Sequence, residues 1–343
     1  MVAFLPAALL IAVFAAGPIV ASDRARPETT GMIDQRAEAA IRDALAWLAS
    51  RQHEDGSFGS GDLRGNTAVT ALCGMAFLAG GSTPNRGPHG EQVDRAVEYL
   101  LAHTEQSGLI INRRATSQGP MYGQGFATMF LAECYGMSRR PELREKLVRA
   151  VKLIVDSQNS EGGWRYWPDS TDADISVTIC QIMALRAARN AGIHVPKQTV
   201  DRCVEYVKKC QNPDGGFTYM LGDRRESLFP RSAAGVVVLY SAGIHEGEEL
   251  AKGLEYLMRF VPDGKPERES PHYYYGQYYG VQAMWHAGGD RWKKWYPAAR
   301  DDLLARRAAG VPYWTSPHTA DYATAMACIV LQVPYDYLPI FQR

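Results

Sequence analysis

The heptapeptide Gln158-Asn-Ser-Glu-Gly-Gly-Trp164 has two close copies in this chain. They are Gln52-His-Glu-Asp-Gly-Ser-Phe58 and Gln211-Asn-Pro-Asp-Gly-Gly-Phe217, so the shared form is Gln-x-x-acid-Gly-small-aromatic. A worn copy starts at Gln106, and the four Gln positions are 54, 52 and 53 residues apart (106−52, 158−106, 211−158). A period near 50 residues in a chain of 343 indicates about six copies of one structural unit.

Each unit combines two predicted helices. The first ends at the Gln and has apolar residues at three- and four-residue steps, whereas the second follows the turn and is apolar almost all round. Predicted first helices are residues 37–51, 143–157 and 200–209. Predicted second helices are residues 67–79, 123–135, 176–191 and 233–242. Two further pairs lack the Gln-Gly turn, namely 248–260 with 274–287 and 292–308 with 320–332.

This alternation predicts an all-α fold. A helix with a charged face belongs outside, and a helix that is apolar on every side must be buried. Six such pairs joined by short loops close into a ring, an α/α toroid or α6/α6 barrel with six inner and six outer helices. Glycine supplies the positive φ that stops each first helix, and the aromatic residue pins the turn. The turns are therefore predicted to be structural, with no direct catalytic role.

The N-terminal segment predicts export. Residues 4–20 form an almost unbroken apolar run that ends at Ala21 and Ser22, followed by charged residues. This is the layout of a secretory signal peptide, although no Lys or Arg precedes the run; a membrane anchor or a cytosolic helix is the alternative. We therefore expect a signal peptide over 1–22, cleaved near residues 21–22, and a single toroid domain over 23–343 that is periplasmic or extracellular.

Composition excludes one class of partner and leaves other properties open. The 37 basic and 37 acidic side chains balance, so the chain lacks the basic excess of a general nucleic-acid binder. The six cysteines include no CxxC pair. Most of them lie in apolar helical patterns, where a buried free thiol is expected. The oligomeric state and the disulfide state stay open.

The turns resemble those of the terpenoid cyclase and protein prenyltransferase superfamily, whose α/α toroids carry prenyltransferase and squalene oxidase repeats. The resemblance covers roughly residues 35–335, and single-toroid secreted proteins similar to squalene-hopene cyclases are its nearest form. It implies a central cavity that binds a hydrophobic small molecule or lipid of isoprenoid type. It also implies isoprenoid cyclase-like or prenyltransferase-like activity, and it leaves peripheral membrane contact open.

Residues at the start of the inner helices are expected to line one mouth of such a ring. Helix N-termini carry partial positive charge, so this mouth favours an anionic head group. Asp172, Asp174, His318 and Asp321 are the candidate catalytic residues. The candidate ligand-binding residues are Tyr122, Gln124, Arg231, His272, Tyr275, Gln277 and Tyr322. The alternative for the acidic residues is simple helix capping.

The segment Asp172-Ala-Asp174-Ile-Ser176 resembles the Asp-x-Asp-Asp-Thr motif with which squalene-hopene-type cyclases protonate an alkene. The resemblance places Asp174 at the proton donor. Ile175 departs from the motif, which has a second Asp there. Without that neighbour, and near a helix N-terminus, Asp174 is expected to favour the ionised form, which cannot donate a proton.

The comparison with prenyltransferases concerns zinc. His318-Thr-Ala-Asp-Tyr resembles their later His segment, whereas His272-Tyr-Tyr274 stands where they have Asp-x-Cys. His272, His318 and Asp174 together predict a nitrogen and oxygen site for zinc. The alternative is that each His caps a helix or lies in a satisfied hydrogen bond.

Two functions follow from these patterns. One is an exported toroid that binds, or binds and transforms, an isoprenoid-like ligand in its central cavity. The other is a non-catalytic toroid scaffold for protein or glycan binding. Because the motifs of both enzyme classes are incomplete, the sequence leaves open whether the chain is an enzyme.

Overall fold

The computed structural model describes residues 29–115, 118–138, 140–263 and 272–342, and twelve α-helices lie in these ranges. The predicted signal peptide, residues 1–22, lies outside them. The outer helices are α1 (Gln35–Arg51), α3 (Gly90–Ala102), α5 (Glu142–Asp156), α7 (Lys197–Lys209), α9 (Glu248–Leu257) and α11 (Gly289–Arg306). The inner helices are α2 (Thr67–Ala79), α4 (Met121–Tyr135), α6 (Ile175–Asn190), α8 (Phe229–Ser241), α10 (Tyr273–Ala287) and α12 (Ala320–Gln332).

The inner helices close into a ring. Each of them packs on the next in chain order, and α12 packs back on α2. They are buried on nearly all sides, while the outer helices bury one stripe and expose their charged residues. The predicted α/α toroid is confirmed. Among the described residues, none of the helices combines the length and apolarity needed to cross a bilayer.

The Gln of each repeat turn links three parts of the ring. Gln158 Nε2 donates to the carbonyl of Gly162 in its own turn and to that of Thr199 at the start of the next outer helix, both at 2.8 Å. Gln52 and Gln211 make the same pair of bonds in their units. The turns are therefore structural, as the sequence predicts, because one side chain closes a turn and joins it to its neighbour.

A second set of bonds ties each turn to its own inner helix. The turn residue's N–H donates to a side chain in the first turns of that helix, for example Trp164 to Thr178 Oγ1 at 3.1 Å. The other pairs are Phe58 with Thr70, Ile110 with Gln124, Phe217 with Ser232 and Trp314 with Thr324. Trp314 belongs to the sixth unit, where sequence analysis found no Gln-Gly turn. Its indole donates to Leu303 O at 2.7 Å, as that of Trp164 does to Ile154 O.

The C-terminal segment, residues 333–342, covers the end of the ring where the inner helices finish. The indole of Trp285 in α10 donates to Phe341 O at 3.0 Å, and Arg186 in α6 donates to Gln342 O at 2.7 Å. Glu133 in α4 accepts the N–H of Ile340 at 3.3 Å. Three inner helices thus hold this segment, which we call the base segment.

Glu133 predicts a pH dependence of stability. Burial raises the pKa of Glu133 from 4.5 to about 7, although the Ile340 N–H and Arg186 lower it. A carboxyl whose pKa is higher in the folded state than in the unfolded chain makes its full contribution to stability at pH values below its pKa in the unfolded chain. That stability is lost as the pH rises through about 7. We expect the free energy of unfolding to fall by roughly 2–3 kcal/mol between pH 5 and pH 8 from this group.

Urea unfolding of the wild type and Glu133→Gln at both pH values measures this contribution. The amide keeps an acceptor for the Ile340 N–H, so the base segment should stay bound. The variant should show a smaller fall in unfolding free energy than the wild type. Equal falls in the two proteins would assign the pH dependence to other groups.

Candidate active site at the mouth of the toroid

Asp174 is the best-enclosed acidic side chain at the mouth. It caps α6, where its Oδ1 accepts the Val177 N–H at 2.9 Å, and it has no solvent exposure. Its Oδ2 makes no hydrogen bond of normal geometry with the described residues. Arg165 Nε lies 4.0 Å from that oxygen. One carboxylate oxygen therefore caps the helix, and the other is buried near the Arg165 guanidinium.

Burial controls the acidity of this carboxyl. It raises the pKa of Asp174 from 3.8 to about 6, against the lowering effects of the Val177 N–H, Arg165 and the Tyr219 hydroxyl. The helix N-terminus is therefore too weak to keep this group an ordinary aspartate. With a pKa of about 6, the ionised form that the sequence leads us to expect still predominates at pH 7, although less completely than for an exposed aspartate. Asp174 is protonated in a larger fraction of molecules near neutral pH than an exposed aspartate.

Arg165 and two tyrosines surround Asp174. The Arg165 guanidinium pairs with Asp172 and lies 5.2 Å and 5.9 Å from the ring centroids of Tyr166 and Tyr219. The two tyrosine hydroxyls are 2.5 Å apart. Asp172, which is partly exposed, thus forms an ion pair with Arg165.

Sequence analysis missed Arg165, Tyr166 and Tyr219 as neighbours of Asp174. The repeat itself carried a signal for the tyrosines, because Tyr166 and Tyr219 each stand two residues after a turn aromatic, Trp164 and Phe217. Equivalent positions in adjacent units lie side by side in a ring of repeats. The shared register therefore places these two hydroxyls together.

Three of the candidate ligand-binding residues are tyrosines near the start of inner helices. Tyr122, Tyr275 and Tyr322 come from α4, α10 and α12 and are partly exposed. Burial raises the pKa of each, and the Cys180 thiol of α6 adds to the rise in all three. The Tyr275 hydroxyl donates to Ser176 O across the ring at 3.2 Å. The Tyr275 bond thus joins α10 to the start of α6, and the Cys180 thiol of α6 acts on the tyrosines of three other inner helices.

Other predicted ligand residues have structural partners. Gln124 is fully buried. Its Oε1 accepts the Ile110 N–H, and its Nε2 donates to Gly108 O and Ala150 O. Gln277 is also buried, but its Oε1 has no hydrogen-bond partner among the described residues. Arg231 pairs with Glu226, with Nη2 and Oε2 3.5 Å apart.

The two candidate catalytic residues at the start of α12, His318 and Asp321, have different surroundings. Asp321 is buried, and its Oδ1 lies 3.4 Å from Arg51 Nε of the outer helix α1. His318 is exposed and lies edge-on to Tyr322, with ring centroids 5.4 Å apart. His318 therefore borders the mouth, whereas Asp321 joins the inner and outer rings.

The zinc site predicted from His272, His318 and Asp174 does not form among the described residues, where no group of three or more His, Cys, Asp or Glu side chains could hold a metal ion. The two histidines are near each other, since His318 adds to the lowering of the His272 pKa that burial causes. Asp174 instead faces Arg165, and a cation beside the carboxylate opposes a second cation there.

Comparison with known proteins establishes the family. The sequence profile of the prenyltransferase alpha-alpha toroid domain matches residues 27–127 and 126–259, more than half of the chain. The chain belongs to this family. As in other repeat proteins, the matched units place their equivalent residues at one mouth.

Named relatives of this toroid include terpene enzymes and a sugar enzyme. Drimenyl diphosphate synthase of Streptomyces showdoensis is 28% identical over 184 residues, 53% of this chain and 32% of that protein. The aligned part thus spans about a third of the relative's length. A variant of type II terpene cyclase MstE from Scytonema, solved with geranylgeranyl dihydroxybenzoate as substrate, has a TM-score of 0.63 at 15% identity, covering 89% of this chain and 99% of MstE.

Cellobiose 2-epimerase from Spirochaeta thermophila has a similar fold. Its TM-score is 0.65 at 13% identity, with 88% of this chain and 96% of the epimerase covered. At such identities the likeness concerns the fold alone. The same toroid therefore occurs in enzymes of unrelated chemistry, and the function of this chain has to be argued from its site.

Proposed function

We propose that this toroid binds the prenyl chain of an isoprenoid at its mouth and that Asp174 protonates an alkene of that chain, which initiates cyclisation. The supporting observation is the buried carboxyl of Asp174, with its pKa raised to about 6 and no hydrogen bond of normal geometry from the described residues to its Oδ2. A general acid must hold its proton near the working pH and present it to the substrate.

The groups around Asp174 suit each stage of this step. The proton moves from Asp174 to one alkene carbon, and the other carbon becomes a carbocation that the next alkene attacks. The Val177 N–H and Arg165 then stabilise the carboxylate that remains. Loss of a proton from the final cation gives a product with the mass of the substrate, so the reaction balances without an added reagent.

The aromatic wall suits a cationic intermediate. Tyr122, Tyr275 and Tyr322 stand near the start of three inner helices; the Asp174 carboxyl raises the pKa of Tyr122 and Tyr275, on top of the larger effect of burial. Aromatic faces attract a cation at close range, by more when water is excluded. The relationship to drimenyl diphosphate synthase and the fold of type II terpene cyclase MstE support the same substrate class.

Product analysis tests the proposed activity. The protein is incubated with prenyl diphosphates of ten, fifteen and twenty carbons, and the dephosphorylated extracts are separated by gas chromatography and mass spectrometry. We expect a new compound of unchanged mass and different retention time. Ligand binding without any product would reduce the proposal to an isoprenoid-binding protein. If the protein neither binds these ligands nor forms a product, the result would favour the alternative, a scaffold for protein or glycan contacts.

Export is a separate proposal. The apolar run at residues 4–20 and the small residues that follow it support a cleaved signal peptide. N-terminal sequencing of the protein purified from its native host tests this. A mature chain that begins near residue 22 or 23 is expected, and a chain that retains residues 1–20 would contradict cleavage.

A further inference from the structure

A cleft of about 490 Å³ lies at the end of the ring where the inner helices finish. The last turns of α6 and α8, the loop after α8 and the base segment form its walls. We call it the base cleft, and its volume is typical of a small-molecule site. Its Arg186 stands 12 residues after Asp174 on α6 (186−174), so roughly 18 Å along the helix separates the two. The base cleft is therefore a different place from the mouth.

Two guanidinium groups share one wall of the base cleft. Arg186 and Arg189 are three residues apart on α6, a spacing that puts both side chains on one face of the helix. Arg186 Nη2 donates to Gln342 O at 2.7 Å, and neither arginine forms an ion pair with a carboxylate of the described residues. No acidic side chain is among the described residues that line this cleft. Two cations thus stand side by side without a counter-charge in the cleft.

The surroundings of Arg186 oppose its positive charge. Arg186 is half-buried, and burial lowers its pKa. The charge of Arg189 lowers that pKa further, and Glu133, which lines a separate cleft, raises it. The C-terminus of α6 adds about half a negative charge, which is less than the two positive charges of the pair. Because a partly buried cation is costly until an anion pairs with it, a bound anion would stabilise this end of the toroid.

Neutral polar groups lie beside the two arginines. Ser241, the last residue of α8, is 3% exposed, and its Oγ has no hydrogen-bond partner among the residues that the structure describes. A buried hydroxyl without a partner costs stability, and a ligand oxygen in the cleft would supply one. Asn190 at the end of α6 and His245 after α8 also line the cleft. The lining therefore combines positive charge with hydrogen-bonding groups from two helix ends.

From this arrangement we infer that the base cleft binds a phosphomonoester, with Arg186 and Arg189 pairing with its phosphate. A phosphomonoester carries nearly two negative charges at neutral pH on three terminal oxygens, which match two guanidinium groups. A carboxylate offers two oxygens and one charge, so it would leave one arginine without a partner. The cleft is larger than a phosphate group, and the remaining volume can hold the organic part. This site is independent of the proposed function at the mouth.

Isothermal titration calorimetry at constant ionic strength tests the binding of inorganic phosphate and of glycerol 3-phosphate. We expect one site per chain and tighter binding of the ester than of inorganic phosphate. Co-sedimentation with phosphatidylcholine vesicles, with and without phosphatidic acid, tests a lipid source of the same group. Binding only to vesicles with phosphatidic acid would identify a lipid phosphomonoester as the ligand. If the folded protein binds none of these probes, the inference is wrong.

Arg189→Ala should weaken the binding of glycerol 3-phosphate by about ten-fold, because it removes one charge-assisted pair. Arg189 is exposed, so the fold should survive. Arg186→Lys keeps the charge but loses the two-pronged geometry, and we expect a smaller loss of affinity. Circular-dichroism melting shows whether each variant is folded.

Arg42→Ala is the matched control. Arg42 is exposed on the outer helix α1, which packs on α12 and does not line the base cleft. This variant should bind glycerol 3-phosphate as the wild type does. Wild-type affinity in folded Arg189→Ala would overturn the inference, and so would an equal loss of affinity in Arg42→Ala, because the binding would then reflect overall charge.

Discussion

Asp174→Asn is expected to lower the rate of cyclisation by a factor of about 10² to 10⁴, the usual contribution of a general acid. Asn cannot donate a proton to an alkene, yet its side-chain oxygen can still accept the Val177 N–H that Asp174 Oδ1 binds. The helix cap and the fold should therefore survive. Initial rates on the best prenyl substrate, with thermal melting of both proteins, measure the effect.

Asp172→Asn provides the matched control. Asp172 stands two residues earlier, is partly exposed and pairs with Arg165. Because Asp172 is not the proposed proton donor, its replacement should change the rate of cyclisation by less than about ten-fold, well below the loss for a general acid. Equal losses in the two variants would point to a general disturbance of the mouth and would remove Asp174 as the proton donor.

The pH profile gives a second test of the same role. Only the protonated form of Asp174 donates, and its pKa is raised to about 6 by burial. The wild-type rate should therefore increase about ten-fold for each unit of pH below 8 and level off below about 6. A rate that rises with pH through this range would require a base in place of an acid.

Gly162→Ala is expected to cost at least about 3 kcal/mol of folding free energy. Gly162 has φ +97°, which a residue with a side chain rarely adopts, and an added Cβ would lie 2.4 Å from the carbonyl oxygen of Arg202 in α7. Both the turn and the outer helix would have to move. The bond from Gln158 to the Gly162 carbonyl would be disturbed as well.

Gly192→Ala separates the strain of a positive φ from the clash of an added Cβ with a neighbouring helix. Gly192 also has a positive φ, +80°, but an added Cβ meets nothing within 4 Å. Its replacement should cost only the conformational strain, about 1–2 kcal/mol. Urea unfolding of both variants gives the difference. If the two cost the same, the contact between the turn and the next outer helix contributes little to the toroid.

The repeat turns show why the fold could be predicted from the sequence. Gln158, Gly162 and Trp164 act within one turn and its adjoining helices, and the same local requirement recurs in the units of Gln52 and Gln211. A bond that needs a fixed residue type at a fixed spacing leaves a periodic pattern. The sixth turn was missed because Trp314 keeps its bonds after the Gln and the acidic residue have been replaced.

The sequence by itself determined the ring of helix pairs, the inner and outer positions of the helices, and Asp174 as the acidic residue that begins an inner helix. Only the tertiary structure decided which mouth residues meet. Cys180 contacts Tyr279 and Tyr275 binds Ser176, each pair 99 residues apart, and Arg51 reaches Asp321 across 270 residues. Such contacts depend on how far the ring closes and on which way each helix is turned. They also decide burial, which raises the Asp174 pKa, and no local spacing encodes that outcome.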